Sequence, residues 1–283
     1  MLIHDQVRDA VDRLEIPFGE LGVDAYGTSK SHLRTALTAF GILYRHYFTV
    51  ETRGIEHVPT RGRAMLVGNH SGGIAIDAAM VIAACLLEMH PPRLAQTMTD
   101  KFFARMPWLG MWSFRMGQLT GLPHHAERLL ADERLLLVFP EGTRGTAKLF
   151  TERHSLVDFG TGFMRLALRT RTPIIPMAVL GGSEAFPTVA NAYRLGRYLG
   201  VPYLPVVAYG LPVPIPAKIE IQFGAPMVPT ADAHADNSVI RSHVEEVKQR
   251  ISRMVEDVAR ERRTGVPRAA TDDPAGGRPG ESE

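Results

Sequence analysis

Short, unbroken apolar runs set between longer stretches of helical periodicity constrain this chain more than any other feature. Met65-Leu66-Val67-Gly68, Leu135-Leu136-Leu137-Val138-Phe139 and Ile174 to Leu180 contain no charged side chain. Runs of this length bounded by turn residues read as strands, and their alternation with periodic segments suggests repeated strand and helix units. The spacing predicts strands near 64–68, 94–98, 135–139, 174–180 and 218–223. Helices are expected near 77–89, 124–131, 158–169 and 188–199, with a broken helix near 101–117. This is α/β order, and such sheets carry ligands in the crevice beyond the carboxyl ends of their strands.

With 283 residues, 45% of them hydrophobic, the chain can bury the core of one large α/β domain or of two small ones. Residues 1–29 contain Pro17, Gly19, Gly22 and Gly27 and are expected to be an irregular lead-in. Beyond them Leu33, Leu37, Phe40, Tyr44 and Tyr47 recur at helical spacing beside Lys30, Arg34, Arg45 and His46, predicting an N-terminal amphipathic helix with a basic flank. Its apolar face either packs on the domain or docks at a membrane interface. A last amphipathic helix over about 239–262 closes the domain, assigned to 30–262, and the Gly-, Pro- and charge-rich tail 263–283 is expected to be disordered. Between Gly200 and Pro216 a proline-laden apolar segment reads as an edge connector or as an apolar rim touching lipid.

Thirty-two basic against 30 acidic residues leave a net charge of +2, which argues against a nucleic-acid partner. The single cysteine, Cys85, excludes an internal disulfide and a multi-cysteine metal site. No zinc-binding His-Glu-x-x-His and no phosphate-cradling Gly-Lys-Thr loop occurs, so neither a metal nor a cofactor is expected. The N-terminus lacks the plan of a signal peptide, and no apolar run approaches the roughly 20 residues that span a bilayer. The expected location is cytoplasmic, with any membrane contact peripheral.

Two loops could carry chemistry. His70 follows the strand near 64–68 and enters a turn with Gly72 and Gly73, and Asp77 follows. An imidazole can act as a base at neutral pH when a carboxylate orients it. Seven helical positions would separate His70 from Asp77 by about 10.5 Å, so the glycines must break that geometry for the two to meet. Asp77 can equally cap the helix that follows. In the second loop, Phe139-Pro140-Glu141-Gly142-Thr143-Arg144-Gly145, an acid, a hydroxyl and a guanidinium lie within four positions. Arginine's fork suits phosphate or carboxylate; Glu141 and Arg144 could also simply pair across the turn.

Asn69-His70 with its downstream Asp77, Phe139-Pro140-Glu141-Gly142-Thr143-Arg144, and Thr172-Pro173-Ile174-Ile175-Pro176-Met177-Ala178 together resemble, in order and spacing, the signature blocks of glycerolipid acyltransferases of the lysophosphatidic acid acyltransferase type. The resemblance covers about 48–228. It implies a single domain with a mixed, mostly parallel sheet flanked by helices, working on a membrane surface. It implies O-acyl transfer from an acyl-CoA or acyl-carrier-protein thioester to a glycerolipid hydroxyl. His70 would be the base and Asp77 its orienting acid. Glu141, Gly142, Thr143 and Arg144 would bind the acceptor, and Pro173 and Pro176 would shape a substrate pocket. Two departures from the family pattern stand out. Six residues rather than four separate His70 from Asp77, and Pro123 stands where the family usually has a phosphate-contacting arginine. The second departure points to a neutral acceptor such as an acylglycerol, unless Lys101 or Arg105 replaces the cation. The first motivates a rival reading, a noncatalytic lipid-binding scaffold. A serine esterase or thioesterase is the weaker rival, since Gly181-Gly182-Ser183-Glu184-Ala185 only echoes a nucleophile elbow.

Overall fold

The computed structural model describes residues 2–71, 76–99, 109–211 and 213–265. The chain opens with α1 (Ile3–Asp12) and α2 (Lys30–Ile42), then β1 (Thr49–Arg53), β2 (Ala64–Gly68), α3 (Ile76–Leu87) and β3 (Ala95–Thr99). Next come α4 (Leu109–Arg115), β4 (Leu119–Thr120), α5 (Pro123–Ala131), β5 (Leu135–Val138), α6 (Thr143–Thr146), α7 (Gly162–Thr170) and β6 (Ile174–Leu180). It ends with α8 (Gly182–Ala185), β7 (Thr188–Ala192), α9 (Tyr193–Tyr198), β8 (Leu204–Val207), β9 (Lys218–Phe223) and α10 (Asn237–Thr264).

Among the described residues one sheet runs β1-β9-β6-β2-β5-β3-β4. Only β6 and β9 pair antiparallel; every other neighbouring pair in it is parallel. The expected mixed, mostly parallel sheet is therefore present. Strand side chains alternate between two cores. Leu66, Ile175, Met177 and Val179 join α1, α2 and α3 on one face, while Met65, Val67, Ile174 and Ala178 join α5, α7 and α10 on the other. Because both faces are covered, these strands carry no polar alternation. Leu33, Leu37 and Tyr44 are buried, so most of the α2 stripe is core, while Tyr47 at its end is exposed.

Three expectations need correction. Within the supposed irregular lead-in, Ile3–Asp12 is helical, and Val7, Ala10 and Val11 pack into the core. The prolines and glycines that suggested irregularity begin only at Pro17, after this helix has ended. The segment near 188–199 is not one helix: Thr188–Ala192 pairs antiparallel with β8, and only Tyr193–Tyr198 coils. The helix expected from 158 starts at Gly162, after Gly160. The tail 266–283 and residues 100–108, which hold part of the broken helix together with Lys101 and Arg105, lie outside the described residues, as do Gly72 and Gly73.

Candidate active site

β2 and β5 are parallel neighbours with Val67 opposite Val138, so the residues after both strands leave the same edge of the sheet. From β2 come Asn69 and His70; from β5 come Phe139 and Glu141. Asn69 fixes the first loop to β6, its Nδ2 donating to the Val179 carbonyl at 2.9 Å and its Oδ1 accepting from the Val179 N–H at 2.9 Å. The Ser183 hydroxyl donates to the carbonyl of Ser71. These bonds bring α8 and β6 in as supports for the histidine turn.

His70 Nδ1 lies 2.9 Å from Asp77 Oδ2, and both residues are buried. The pair thus meets despite the six-residue separation. Asp77 also accepts the Ser71 N–H at 3.0 Å on Oδ2 and the Ala78 N–H at 2.8 Å on Oδ1, so one carboxylate orients the ring and caps the first turn of α3. Burial by itself would raise its pKa; the neighbouring His70 and the bonds from His70, Ser71 and Ala78 outweigh that and hold the carboxyl below its ordinary range. The His70 ring stacks on Phe139 with centroids 4.1 Å apart and planes at 15°.

Glu141 belongs to the same assembly from beneath. Its Oε1 accepts the His70 backbone N–H at 3.1 Å, its Oε2 accepts the Val157 N–H at 3.2 Å, and Lys148 Nζ sits 2.9 Å from Oε2. Lys148 donates as well to the Ser155 carbonyl at 3.0 Å and is itself buried. The alternative turn pair between Glu141 and Arg144 does not form; the counter-ion is Lys148, and Arg144, exposed, donates to the Asp158 carbonyl at 2.9 Å. Gly145 completes the fit: a Cβ there would lie 2.7 Å from Glu141 Cβ and 2.9 Å from His70 Cβ. Gly142, at φ 59°, makes the turn that lets the chain double back.

Not every expected site residue arrives here. Thr143 and Arg144 form the first turn of α6 beside Gly145. Pro173 precedes β6 at the amino end of the sheet, its carbonyl bonded to the Met65 N–H at 2.9 Å. That is the opposite end from His70, because β6 runs parallel to β2. Pro176 is buried in mid-strand opposite Val67, near Gly224 on the side covered by α10. Neither proline is brought to the histidine. Pro123 begins α5. Sequence reasoning missed Lys148 and the packing role of Gly145; a lone lysine in Thr146-Ala147-Lys148-Leu149 has no local signature, since its partner is chosen by the fold. Among the described residues no group of three or more His, Cys, Asp or Glu side chains could hold a metal, and no helix is long and apolar enough to cross a membrane.

The acyltransferase family model matches residues 49–180, which enclose both loops. An uncharacterized protein of Mycobacterium tuberculosis is 34% identical over 224 residues, 76% of this chain and 62% of that protein. The chain thus spans about 62% of the length of this relative. A human protein named DGAT1/2-independent enzyme synthesizing storage lipids is 28% identical over 182 residues, covering 62% of this chain and 53% of that one. The crystal structure of a 1-acyl-sn-glycerophosphate (LPA) acyltransferase from Thermotoga maritima superposes with a TM-score of 0.54 at 18% identity, over 81% of this chain and 79% of that chain. The fold is shared with that enzyme, and residues 49–180, just under half of the chain, match the acyltransferase family model.

Proposed function

We propose that the chain is a peripheral-membrane O-acyltransferase that moves a fatty acyl group from an acyl-CoA or acyl-carrier-protein thioester to a hydroxyl of a glycerolipid. One observation carries the reading: His70 Nδ1 at 2.9 Å from the buried, ionised Asp77, on a loop whose backbone is held by Glu141. An ionised carboxylate accepts, so Nδ1 carries the proton and Nε2 keeps its lone pair for a substrate. In this mechanism Nε2 takes the acceptor's hydroxyl proton as the oxygen attacks the thioester carbonyl carbon. The C–O bond forms, the C–S bond breaks, and the imidazolium returns its proton to the departing thiolate. Asp77 offsets the charge on the ring during transfer.

The acceptor is a lysophospholipid or an acylglycerol. The human relative's name refers to storage lipids, whereas the Thermotoga neighbour's title specifies LPA. Pro123 in place of an arginine favours the neutral class. The exposed Arg144 is the proposed contact for the acceptor's head end. The test is free-thiol release from acyl-CoA in the presence of lysophospholipids, glycerol phosphate and acylglycerols. His70→Ala is expected to lower acceptor-dependent release at least about 100-fold with the fold retained. Unchanged release in that variant would overturn the base assignment, release without any acceptor would indicate a thioesterase, and silence with retained lipid binding would indicate a scaffold.

A further inference from the structure

The segment from Ala185 to Ala217 is built as an arm that leaves the main sheet. β7 and β8 form their own antiparallel pair, and α9 packs across it. The one buried residue of α9 is Gly196, whose missing side chain lets the helix sit on the backbone of Tyr203; an added Cβ would lie 2.5 Å from the Tyr203 Cα. Every larger side chain of α9 therefore faces outward. Tyr198 is 86% exposed, and Val189, Tyr193, Leu195, Leu199 and Leu211 are all more than half exposed. Ala185, Phe186 and Val207 anchor the arm in the core, which leaves the exposed apolar side chains of α9 and its neighbours with no part in it, and such patches mark interaction sites.

Charge identifies the partner. Between Ala185 and Ala217 the only charged residues are Arg194 and Arg197, interleaved with the exposed residues of α9; there is no aspartate, glutamate or lysine. Apolar side chains with tyrosines at their margin and an uncompensated cationic strip match the interfacial layer of a bilayer with anionic headgroups. The arm is also fixed to the candidate active site. Asn191 Nδ2 donates to the Ala147 carbonyl at 2.6 Å, and the Tyr203 hydroxyl donates to Thr146 Oγ1 at 2.6 Å, both in the chain just after Glu141-Gly142-Thr143-Arg144. At its other end, Tyr47 OH donates to the Pro214 carbonyl at 2.7 Å.

We infer that this arm is the surface by which the protein seats itself on an anionic phospholipid bilayer, holding the His70 edge of the sheet beside the lipid layer. The inference rests on the proposed reading of the chain as a peripheral-membrane enzyme and names the surface that reading leaves unspecified.

The experiment is co-sedimentation of the full chain with vesicles of phosphatidylcholine alone and of phosphatidylcholine with phosphatidylglycerol. The wild type is expected to prefer the anionic vesicles, and the triple variant Leu195→Glu, Tyr198→Glu, Leu199→Glu to bind them at least about tenfold less. The pair Arg194→Gln, Arg197→Gln should lose on the order of thirtyfold of the anionic preference, about fivefold per charge, at low salt. Circular dichroism identifies any variant that has failed to fold, and the two arginine changes then carry the test. Binding by the triple variant equal to wild type overturns the inference. So does loss of binding in Met111→Glu, on the exposed apolar α4, with the arm variants unaffected. A wild-type dimer that the triple variant converts to monomer also overturns it, by giving the patch to a second copy. Turnover of a short-chain soluble acceptor by wild type reads the chemistry separately, so failure of docking and failure of acyl transfer are distinguishable.

Discussion

At the scale of single residues, the candidate site depends on a charge placed under a histidine's backbone as much as on the histidine. Lys148 is the one cation within reach of the buried Glu141 carboxylate among the interactions described, and Glu141 holds the His70 N–H. Lys148→Met is expected to destabilise the fold by about 3–5 kcal/mol, because it leaves a buried carboxylate uncompensated, and adding Glu141→Gln should recover part of that loss. Urea denaturation of both variants measures it; a single variant as stable as wild type would show that the pair does not brace the loop. Asp77 makes a prediction about pH. Its folded pKa lies below the ordinary 3.8, so the ionised form stabilises the fold. That contribution is complete above about pH 5 and is lost as pH falls through the folded pKa. The stability difference between wild type and Asp77→Asn should therefore shrink as the pH falls from about 5 through about 4 and below. A difference that stays constant or grows below about pH 4 would contradict the assignment.

At the scale of elements, each structure was readable wherever its own residues decided it. α10 repeats Ile240, Val244, Val247, Ile251, Val255 and Val258 along one buried face, and the same spacing announces it in the sequence. Ile251 is fully buried there, and Ile251→Ala is expected to cost about 2–5 kcal/mol in chemical denaturation with an unchanged m-value. A cost below about 1 kcal/mol would mean that α10 packs loosely on the sheet. β7 behaved differently. Thr188-Val189-Ala190-Asn191-Ala192 carries no strong helical or strand period, and its pairing with Leu204–Val207 settles its conformation. α1 was legible in principle, since Ile3, Val7, Ala10 and Val11 fall at helical spacing, but the loop residues after it dominate the reading of that stretch.

At the scale of the whole molecule, two cores cover the two faces of one sheet, and the core on the α3 side holds the single thiol. Cys85 is fully buried in α3, and burial pushes its pKa up to about 12. At neutral pH it should react with a thiol reagent only through global opening, so labelling against denaturant should follow the circular-dichroism transition. Rapid labelling of the native protein would show local opening of α3. The sequence by itself determined the α/β class and the position of the two loops that form the candidate site, because apolar period and turn chemistry are local properties. It also marked His70, Asp77 and Glu141 as chemistry-bearing residues. Only the tertiary structure decided that a six-residue gap still brings His70 to Asp77, that Lys148 rather than Arg144 neutralises Glu141, and that Pro173 lies at the far end of the sheet. Those outcomes depend on which strands lie side by side and where the chain re-enters the core, and burial of the whole chain selects that arrangement.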